Sequence, residues 1–279
     1  MKSELIRLLT LGWKLPTQDT EGIFTPLKIS EDEISFPSES YTGERANPES
    51  DGFWAAERAK SICNLLDVHR VCTLWEIGAG NGNAAIPLRK QGIEVFPIEP
   101  LRNGARTLNK NGFTTFQATL ESLNFPDNSI SAIGAFDVIE HLEKPNELMY
   151  EVYRILKAGG IFICSVPAYQ WLFSDFDISI GHYRRFSRKS LRELVESTGL
   201  EVISVVSIFS YLVFPAYVLR RIPFLLGRRN NYSQITTSSG GNSQILDRLR
   251  TFFGFLGRLE RSVKPPFGLS IILISKKPD

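Results

Sequence analysis

The residues whose types and spacing most clearly suggest chemistry lie in a glycine-rich stretch, TLWEIGAGNGNAAIPL, at residues 73–88. Gly78, Gly80 and Gly82 follow an apolar run that predicts a β-strand, and a helical pattern begins after them. Because glycine has no Cβ, backbone N–H groups in such a turn can approach a ligand closely. The turn, including Ala79, therefore predicts a site for a nucleotide or a similar group. A tight strand-to-helix connection without a ligand is the alternative.

Two acidic residues restrict the identity of that ligand. Glu76 precedes the first glycine and would repel a pyrophosphate, but it can accept hydrogen bonds from an ammonium group. Glu99 ends the next predicted strand, where a carboxylate can accept both hydroxyls of a ribose. The dinucleotide fingerprint requires glycine where this chain has Asn83, and no P-loop ending is present. A ligand with a ribose, an amino group and no phosphate fits better than NAD, and S-adenosylmethionine is such a ligand.

A second group of candidate residues lies in the segment DFDISIGHYRRFS, residues 175–187. A histidine side chain can act as a general base, and Asp177 is close enough in sequence to orient His182. Arg184 and Arg185 can bind an anionic acceptor, because guanidinium groups favour carboxylate or phosphate. In the structural alternative, Arg184 pairs with an aspartate to hold the loop and His182 caps a turn.

Alternating strands and helices must position these residues. The pattern predicts a doubly wound, seven-stranded, mostly parallel α/β sheet of Rossmann-like type, with the third strand in FTTFQATL at residues 113–120. In such a sheet, ligands bind at the carboxyl ends of the strands, where the glycine turn and Glu99 both lie. We expect an N-terminal extension over residues 1–50, a cofactor-binding core over residues 51–208 plus 267–279, and a basic, helical, amphipathic insertion over residues 209–266.

These motifs resemble those of a class I S-adenosylmethionine-dependent methyltransferase, of the broad group that includes small-molecule and quinone-pathway enzymes. The segment EIGAGNG resembles the first motif of that family, and Glu99 resembles its ribose-binding acid. ATLESLNFPDNSI resembles the segment after the third strand, and GAFDVIEHLEKP resembles the fourth motif. The family often has Asp where this chain has Thr119 and Ser131. The resemblance also implies that Arg58, after an aromatic pair, helps to close over the cofactor.

The residue patterns and the resemblance together define a predicted site. Alternatives are that Asp137 and Glu140 are only first-turn acids of a helix, that His141 is a packing or capping residue, and that Phe53 and Trp54 belong to the core. The predicted cofactor-binding residues are Glu76, Gly78, Ala79, Gly80, Gly82, Glu99, Pro100, Thr119, Leu120, Glu121, Phe136, Asp137 and Arg58. The predicted catalytic residues are His182, His141 and Asp177, and the predicted acceptor-binding residues are Tyr169, Arg184 and Arg185.

The predicted function is methyl transfer from S-adenosylmethionine to a small or lipid-like acceptor. A relative that uses the same type of cofactor for another transfer, or a non-catalytic cofactor-binding scaffold, is the alternative. The formal net charge of +2 gives no reason to expect a nucleic-acid partner. The three cysteines fit no metal or disulfide pattern, so we expect no metal and a cytoplasmic protein. The insertion suits a lid or a peripheral membrane contact, or else a helical pair packed on the sheet with a solvated basic face.

Overall fold

The computed structural model describes residues 3–26, 52–227, 254–263 and 265–279, with side chains of the second range from residue 55 onward. Within these described residues, the main sheet has six strands in the order β2-β1-β3-β4-β6-β5. Strands β1 to β4 pair in parallel, and β6 runs antiparallel between β4 and β5. The strands are β1 (Thr73–Ile77), β2 (Glu94–Ile98), β3 (Ile130–Phe136), β4 (Leu156–Pro167), β5 (Glu201–Ile208) and β6 (Ser270–Lys276).

The seventh strand predicted at residues 113–120 is replaced by isolated parallel bridges from Phe116. Phe116 N donates to Pro97 O at 3.0 Å, and Glu99 N donates to Phe116 O at 2.9 Å. The next rung of that ladder would need an N–H donor from Pro97 to Thr114, and proline has none. The predicted α/β architecture is confirmed, with six strands in the described part of the sheet instead of seven.

Helices cover the sheet, and their ends follow local signals in the sequence. Helix α5 starts at Pro145, a residue suited to the first helical turn. Helix α7 starts after Ser187, whose Oγ accepts the Ser190 N–H at 2.9 Å. The helices are α1 (Ser3–Thr10), α2 (Gly52–Val68), α3 (Ala85–Lys90), α4 (Arg102–Lys110), α5 (Pro145–Ile155), α6 (Asp175–Ser179), α7 (Arg188–Glu196), α8 (213–225) and α9 (254–263).

The core consists of two clusters of buried side chains, to which alternate residues of each strand contribute. Trp75 and Ile77 of β1 belong to one cluster and Leu74 to the other, as expected when neighbouring strand residues point to opposite faces. The N-terminal segment also reaches this core. Trp13 is 4% exposed, and its ring stacks on Phe125 at a centroid distance of 5.0 Å. Part of the predicted extension is therefore packed on the sheet.

The described parts of the predicted insertion are α8 and α9. Helix α8 contains a π-helical turn at Tyr217–Arg221. Glu260 of α9 is buried and accepts hydrogen bonds from the backbone N–H groups of Phe209 and Ser210, in the connection between β5 and α8. The residues between the two helices, 228–253, lie outside the described part of the chain. Among the helices described, none is long and apolar enough to cross a membrane.

Candidate active site

The glycine turn follows β1 and has the backbone conformation that glycine favours. Gly78, Gly80 and Gly82 have φ angles of +62°, +56° and +93°, a region that L side chains rarely adopt. A Cβ at Gly78 would lie 2.7 Å from Val138 Cγ2. Close approach of main chain to the loop after β3 thus requires glycine there. Helix α3 begins at Ala85, so the turn extends beyond its last glycine.

Sheet order places this turn beside a crevice. The chain passes from β1 to β2 on one side and then returns to β3 on the other side of β1. Such a reversal leaves a crevice at the carboxyl ends of the strands, where open α/β sheets bind ligands. Four acidic residues come from these strand ends: Glu76 within β1, Glu99 after β2, and Asp137 and Glu140 after β3.

Glu99 links the first two strand ends. Its Oε2 atom accepts the Gly80 N–H at 2.7 Å, and its Oε1 atom accepts the Leu101 N–H at 2.8 Å. The residue is 1% exposed. Burial raises the pKa of Glu99 to about 7, although both backbone hydrogen bonds oppose that rise. The carboxylate predicted to bind a ribose therefore also fixes the glycine turn.

Gly104 in α4 is a site residue that the sequence analysis missed. A Cβ there would lie 2.8 Å from Glu99 Cγ and 2.9 Å from Gly80 O. Only glycine lets α4 pack this closely on the Glu99 side chain. The available signal was a glycine inside a helix, which is unfavourable unless packing requires it.

Two other predicted residues act through their main chain. Ala79 is buried, and its N–H donates to Ile98 O at 3.2 Å. Pro100 is half-buried, and its carbonyl accepts from Gln117 Nε2 at 3.5 Å. The first bond joins the end of β1 to the end of β2, and the second joins the segment after β2 to Gln117.

Glu76 receives little hydrogen-bonding support from the protein. It is 2% exposed, and its Oε2 atom has no hydrogen-bond partner among the described residues. Burial is the main cause that raises the pKa of Glu76 to about 8; Arg58 opposes the shift and Glu99 adds to it. A buried polar atom without a partner costs free energy, so a cationic or donor group placed here would stabilise this acid.

Asp137 and Arg58 form an ion pair between the loop after β3 and α2. Asp137 has a φ of +55° and accepts hydrogen bonds from Arg58 Nη1 and from Ser165 Oγ, the latter at 3.0 Å. Arg58 is 6% exposed. The arginine expected to help close over the cofactor therefore holds an acid after β3. The side chains of Phe53 and Trp54 lie outside the described part of the chain.

The other predicted cofactor residues divide between the loop surface and the core. Thr119 N donates to Ser122 Oγ at 3.1 Å, and Ser122 Oγ donates to Thr119 O at 2.9 Å. Glu121 is exposed, whereas Leu120 is buried in the core. Phe136 is also a core residue, at 6% exposed. The direct cofactor contacts predicted for these residues remain predictions.

A buried carboxylate organises the segment after β4. Asp177 Oδ1 lies 2.9 Å from His182 Nδ1 and accepts from Arg185 Nε at 2.7 Å, while Oδ2 accepts the Ser174 N–H at 2.9 Å. Burial is the largest influence on Asp177 and raises its pKa, but His182 and Arg185 outweigh it, so the pKa lies below its ordinary value. An ionised Asp177 holds the tautomer in which His182 Nδ1 donates and Nε2 is the acceptor nitrogen.

Arg185, predicted to bind the acceptor, contacts protein groups in this arrangement, and its acceptor contact remains a prediction. Its Nη1 atom donates to Ala168 O at 3.3 Å, in addition to its bond to Asp177. Arg184, which the structural alternative paired with an aspartate, instead donates from Nη2 to Glu143 O at 2.8 Å. The arginine that holds the buried aspartate is thus the second of the pair.

His141 contacts this network directly, and Tyr169 lies in the segment after β4. The His141 ring contacts the His182 ring edge to face at 4.6 Å, and its Nδ1 atom lies 3.2 Å from Gly181 O. Burial, followed by the influence of His182, lowers the pKa of His141 to about 3, so this imidazole is neutral and a weak base. Tyr169 is half-buried and stacks on Trp171 at a centroid distance of 5.4 Å.

Comparison with known families identifies the domain. A family model described as "Methyltransferase domain" matches residues 52–205, more than half of the 279-residue chain. A protein of Mycolicibacterium smegmatis named "Probable S-adenosylmethionine-dependent methyltransferase" is 34% identical over 93 residues, which are 32% of this chain and 36% of that protein. An "Uncharacterized methyltransferase" of Mycobacterium marinum is 26% identical over 143 residues, which are 50% of this chain and 53% of that protein. The chain thus matches no more than about half the length of either relative.

Solved structures share the fold. The phosphoethanolamine N-methyltransferase 2 of Haemonchus contortus, in a complex with phosphomonomethylethanolamine and S-adenosylhomocysteine, superposes with a TM-score of 0.51 at 18% sequence identity. The match covers 88% of this chain and 60% of that chain. At this level of identity, the likeness concerns the architecture.

Proposed function

This chain belongs to the class I S-adenosylmethionine-dependent methyltransferases, and from that we propose that it transfers a methyl group from S-adenosylmethionine to a small or lipid-like acceptor. The cofactor of this family supplies a methyl group on a sulfonium sulfur, which is already activated for displacement. The observation that carries the proposal is the buried Glu99 carboxylate bound to Gly80 N–H in the glycine turn.

The residues at the crevice fit such a cofactor. Each carboxylate oxygen can accept two hydrogen bonds, and in Glu99 each oxygen accepts one from the described backbone. Both oxygens therefore retain acceptor capacity for ribose hydroxyls. Glu76 Oε2, which has no partner among the described residues, can accept from the ammonium group of the cofactor. Buried acids at the strand ends also favour a ligand that carries positive charge.

On the acceptor side, His182 is the residue best supported as a proton acceptor. Asp177 fixes its Nδ1 atom at 2.9 Å, so the tautomer leaves Nε2 to accept a proton from an oxygen or nitrogen acceptor. Asp177 is a positioning residue in this scheme. His141 packs against the ring of His182 and limits its movement. Tyr169 and Arg184 are proposed to contact the acceptor from the segments after β4.

The lipid-like class of acceptor is supported by the surface of α8. Phe214, Leu219 and Leu225 are 75%, 68% and 60% exposed. Arg220 and Arg221 lie in the same helix. An exposed apolar surface next to arginines is typical of a segment that lies at a membrane interface. The proposed role of α8 is to hold the protein at an anionic lipid surface, where a lipid acceptor would be available.

The direct test of the proposed function is calorimetric titration of the full chain with S-adenosylhomocysteine, followed by a labelled-methyl transfer assay with lipid and metabolite fractions. Substitution of Glu99→Ala should weaken cofactor binding by about 1–3 kcal/mol, or about 5- to 150-fold in Kd, through lost charged hydrogen bonds. Substitution of Glu147→Ala, at a carboxylate that is 73% exposed, should leave Kd unchanged. If Glu99→Ala folds and binds as tightly as the unsubstituted protein, the ribose assignment is wrong.

A further inference from the structure

Glu140, after β3, is a fully buried acid that the cofactor site does not use. Neither of its carboxylate oxygens has a hydrogen-bond partner among the described residues. Among the described residues, the guanidinium groups of Arg58 and Arg185 influence it electrostatically, and they are engaged with Asp137 and Asp177 respectively. Burial of an acid in this state is costly unless a cation or a proton accompanies it.

Two histidines face this acid. His182 Nε2 lies 3.7 Å from Glu140 Oε1, and one ligand atom from each of Glu140, His141 and His182 lies within 4.8 Å of the others. His182 Nδ1 is held by Asp177 Oδ1, and His141 Nδ1 lies 3.2 Å from Gly181 O. A carboxylate or carbonyl on the second ring nitrogen is the usual support of a metal-ligating histidine, because it fixes the tautomer and the ring orientation.

The spacing is close to that of a coordination sphere. With metal–ligand bonds of 2.0–2.1 Å, a tetrahedral zinc ion holds its ligand atoms about 3.4 Å apart. The separation of 3.7 Å between His182 Nε2 and Glu140 Oε1 is near that value, and the widest separation in the group, within 4.8 Å, needs side-chain movements on the order of 1 Å. Two imidazole nitrogens and one carboxylate suit zinc and its neighbours better than magnesium or calcium, which prefer oxygen ligands.

We propose that Glu140, His141 and His182 form a binding site for one divalent transition-metal ion, with zinc as the best match to the ligand set. Three protein ligands leave a fourth position for water or for an oxygen of the methyl acceptor. This last role rests on the proposed function. Metal ligation and proton acceptance would use the same His182 nitrogen, so with the ion bound an acceptor hydroxyl would be activated by the metal and lose its proton to solvent.

The experiment is calorimetric titration of the EDTA-stripped full chain with zinc chloride alone. The expected result is saturable one-to-one binding of zinc. Glu140→Gln and His182→Asn each remove a ligand, so each should weaken zinc binding by at least about tenfold, since loss of a residue that only supports a ligand already costs that much. His69→Gln, which removes the remaining histidine of the chain, should bind zinc like the unsubstituted protein. Glu140→Gln preserves the size of the side chain, and thermal melting verifies that each variant is folded.

Titration of the same preparations with S-adenosylhomocysteine separates this proposal from the proposed function. Absence of saturable zinc binding, or equal zinc affinity in all variants, overturns the metal site even if the cofactor product binds. Zinc binding that depends on Glu140 and His182 supports the metal site even if the cofactor product does not bind, and that result would contradict only the proposed function.

Discussion

At the scale of single residues, the site is defined by acids that the fold removes from water. Glu76 and Glu99 are both almost fully buried, and burial raises their pKa values to about 8 and about 7. Carboxyl groups in this state retain protons at a pH where exposed ones are ionised. A cationic cofactor would favour their ionised forms, so cofactor binding and proton release are expected to be coupled.

This coupling predicts how stability depends on pH. An acid whose pKa is higher in the folded state than in the unfolded state binds more protons when the protein is folded. Its contribution to the free energy of unfolding is therefore fully present below the unfolded pKa of 4.5 and is lost as the pH rises through 7 to 8. The melting temperature of the ligand-free protein should therefore decrease as the pH rises from about 5.5 to about 8.5. Each acid should lower the free energy of unfolding by up to about 1.4 kcal/mol per pH unit. Thermal melts across this range measure it.

The Glu76→Gln variant should reduce that slope, because glutamine does not titrate. Glu147→Gln, at an exposed position, should retain the slope of the unsubstituted protein. A pH profile for Glu76→Gln that is identical to that of the unsubstituted protein would mean that Glu76 is ionised in the folded state throughout this range.

At the scale of elements, the turn between β1 and α3 combines two separate requirements for glycine. Gly78 has a positive φ, and the space its Cβ would occupy is filled by Val138. Gly92, after α3, also has a positive φ of +87°, but nothing lies within 4 Å of the place where its Cβ would be. The pair allows the cost of backbone conformation to be separated from the cost of packing.

Gly92→Ala should cost about 1–2 kcal/mol, the price of the left-handed conformation alone. Gly78→Ala should cost a further 1–3 kcal/mol or so, because the added methyl group overpacks against Val138. Urea unfolding of both variants measures the difference. Introducing Val138→Ala should make Gly78→Ala less costly. Equal losses at Gly78 and Gly92 would show that the loop after β3 moves away freely.

At the scale of the whole molecule, α8 follows the carboxyl end of a strand that is parallel to β1, whereas α2 precedes the amino end of β1. Val68 ends α2 just before β1 starts, at the amino end of the strands, and is 76% exposed. Helix α8 follows β5, whose neighbour β6 runs antiparallel to it. A surface that contacts lipid should be sensitive to substitutions in α8 and insensitive to substitutions at Val68.

The full chain should therefore cosediment with anionic vesicles, less so as salt rises, because the arginines of α8 are screened. Phe214→Gln should weaken vesicle partitioning by on the order of 1.5 kcal/mol, or about tenfold. Val68→Gln, which changes an equally exposed apolar residue, should have no such effect. Recovery of the protein in the supernatant, with and without vesicles at low salt, would exclude the proposed lipid contact.

Local sequence patterns were sufficient to predict the fold class and the position of the site. Strand and helix periodicity, the glycine turn and the position of Glu99 predicted the α/β fold, the cofactor family and the side of the sheet where the site lies. These features are readable because each depends on residues close together in sequence: a strand end, a turn and the next strand end. The strand predicted around Phe116 forms only isolated bridges, because Pro97 in the neighbouring strand has no N–H group to continue the pairing.

Contacts between distant segments were decided only by the tertiary structure. Trp13 packs beside Phe125, and Gly104 leaves space for the Glu99 side chain. Glu140 and His182 lie close together although they belong to loops that follow different strands. Likewise, Arg185 and not Arg184 reaches Asp177, because the path of the loop after α6 determines which neighbour points inward. Spacing along the chain carries no information about such pairs, since their free energy comes from burial and hydrogen bonding that exist only after the sheet has brought the segments together.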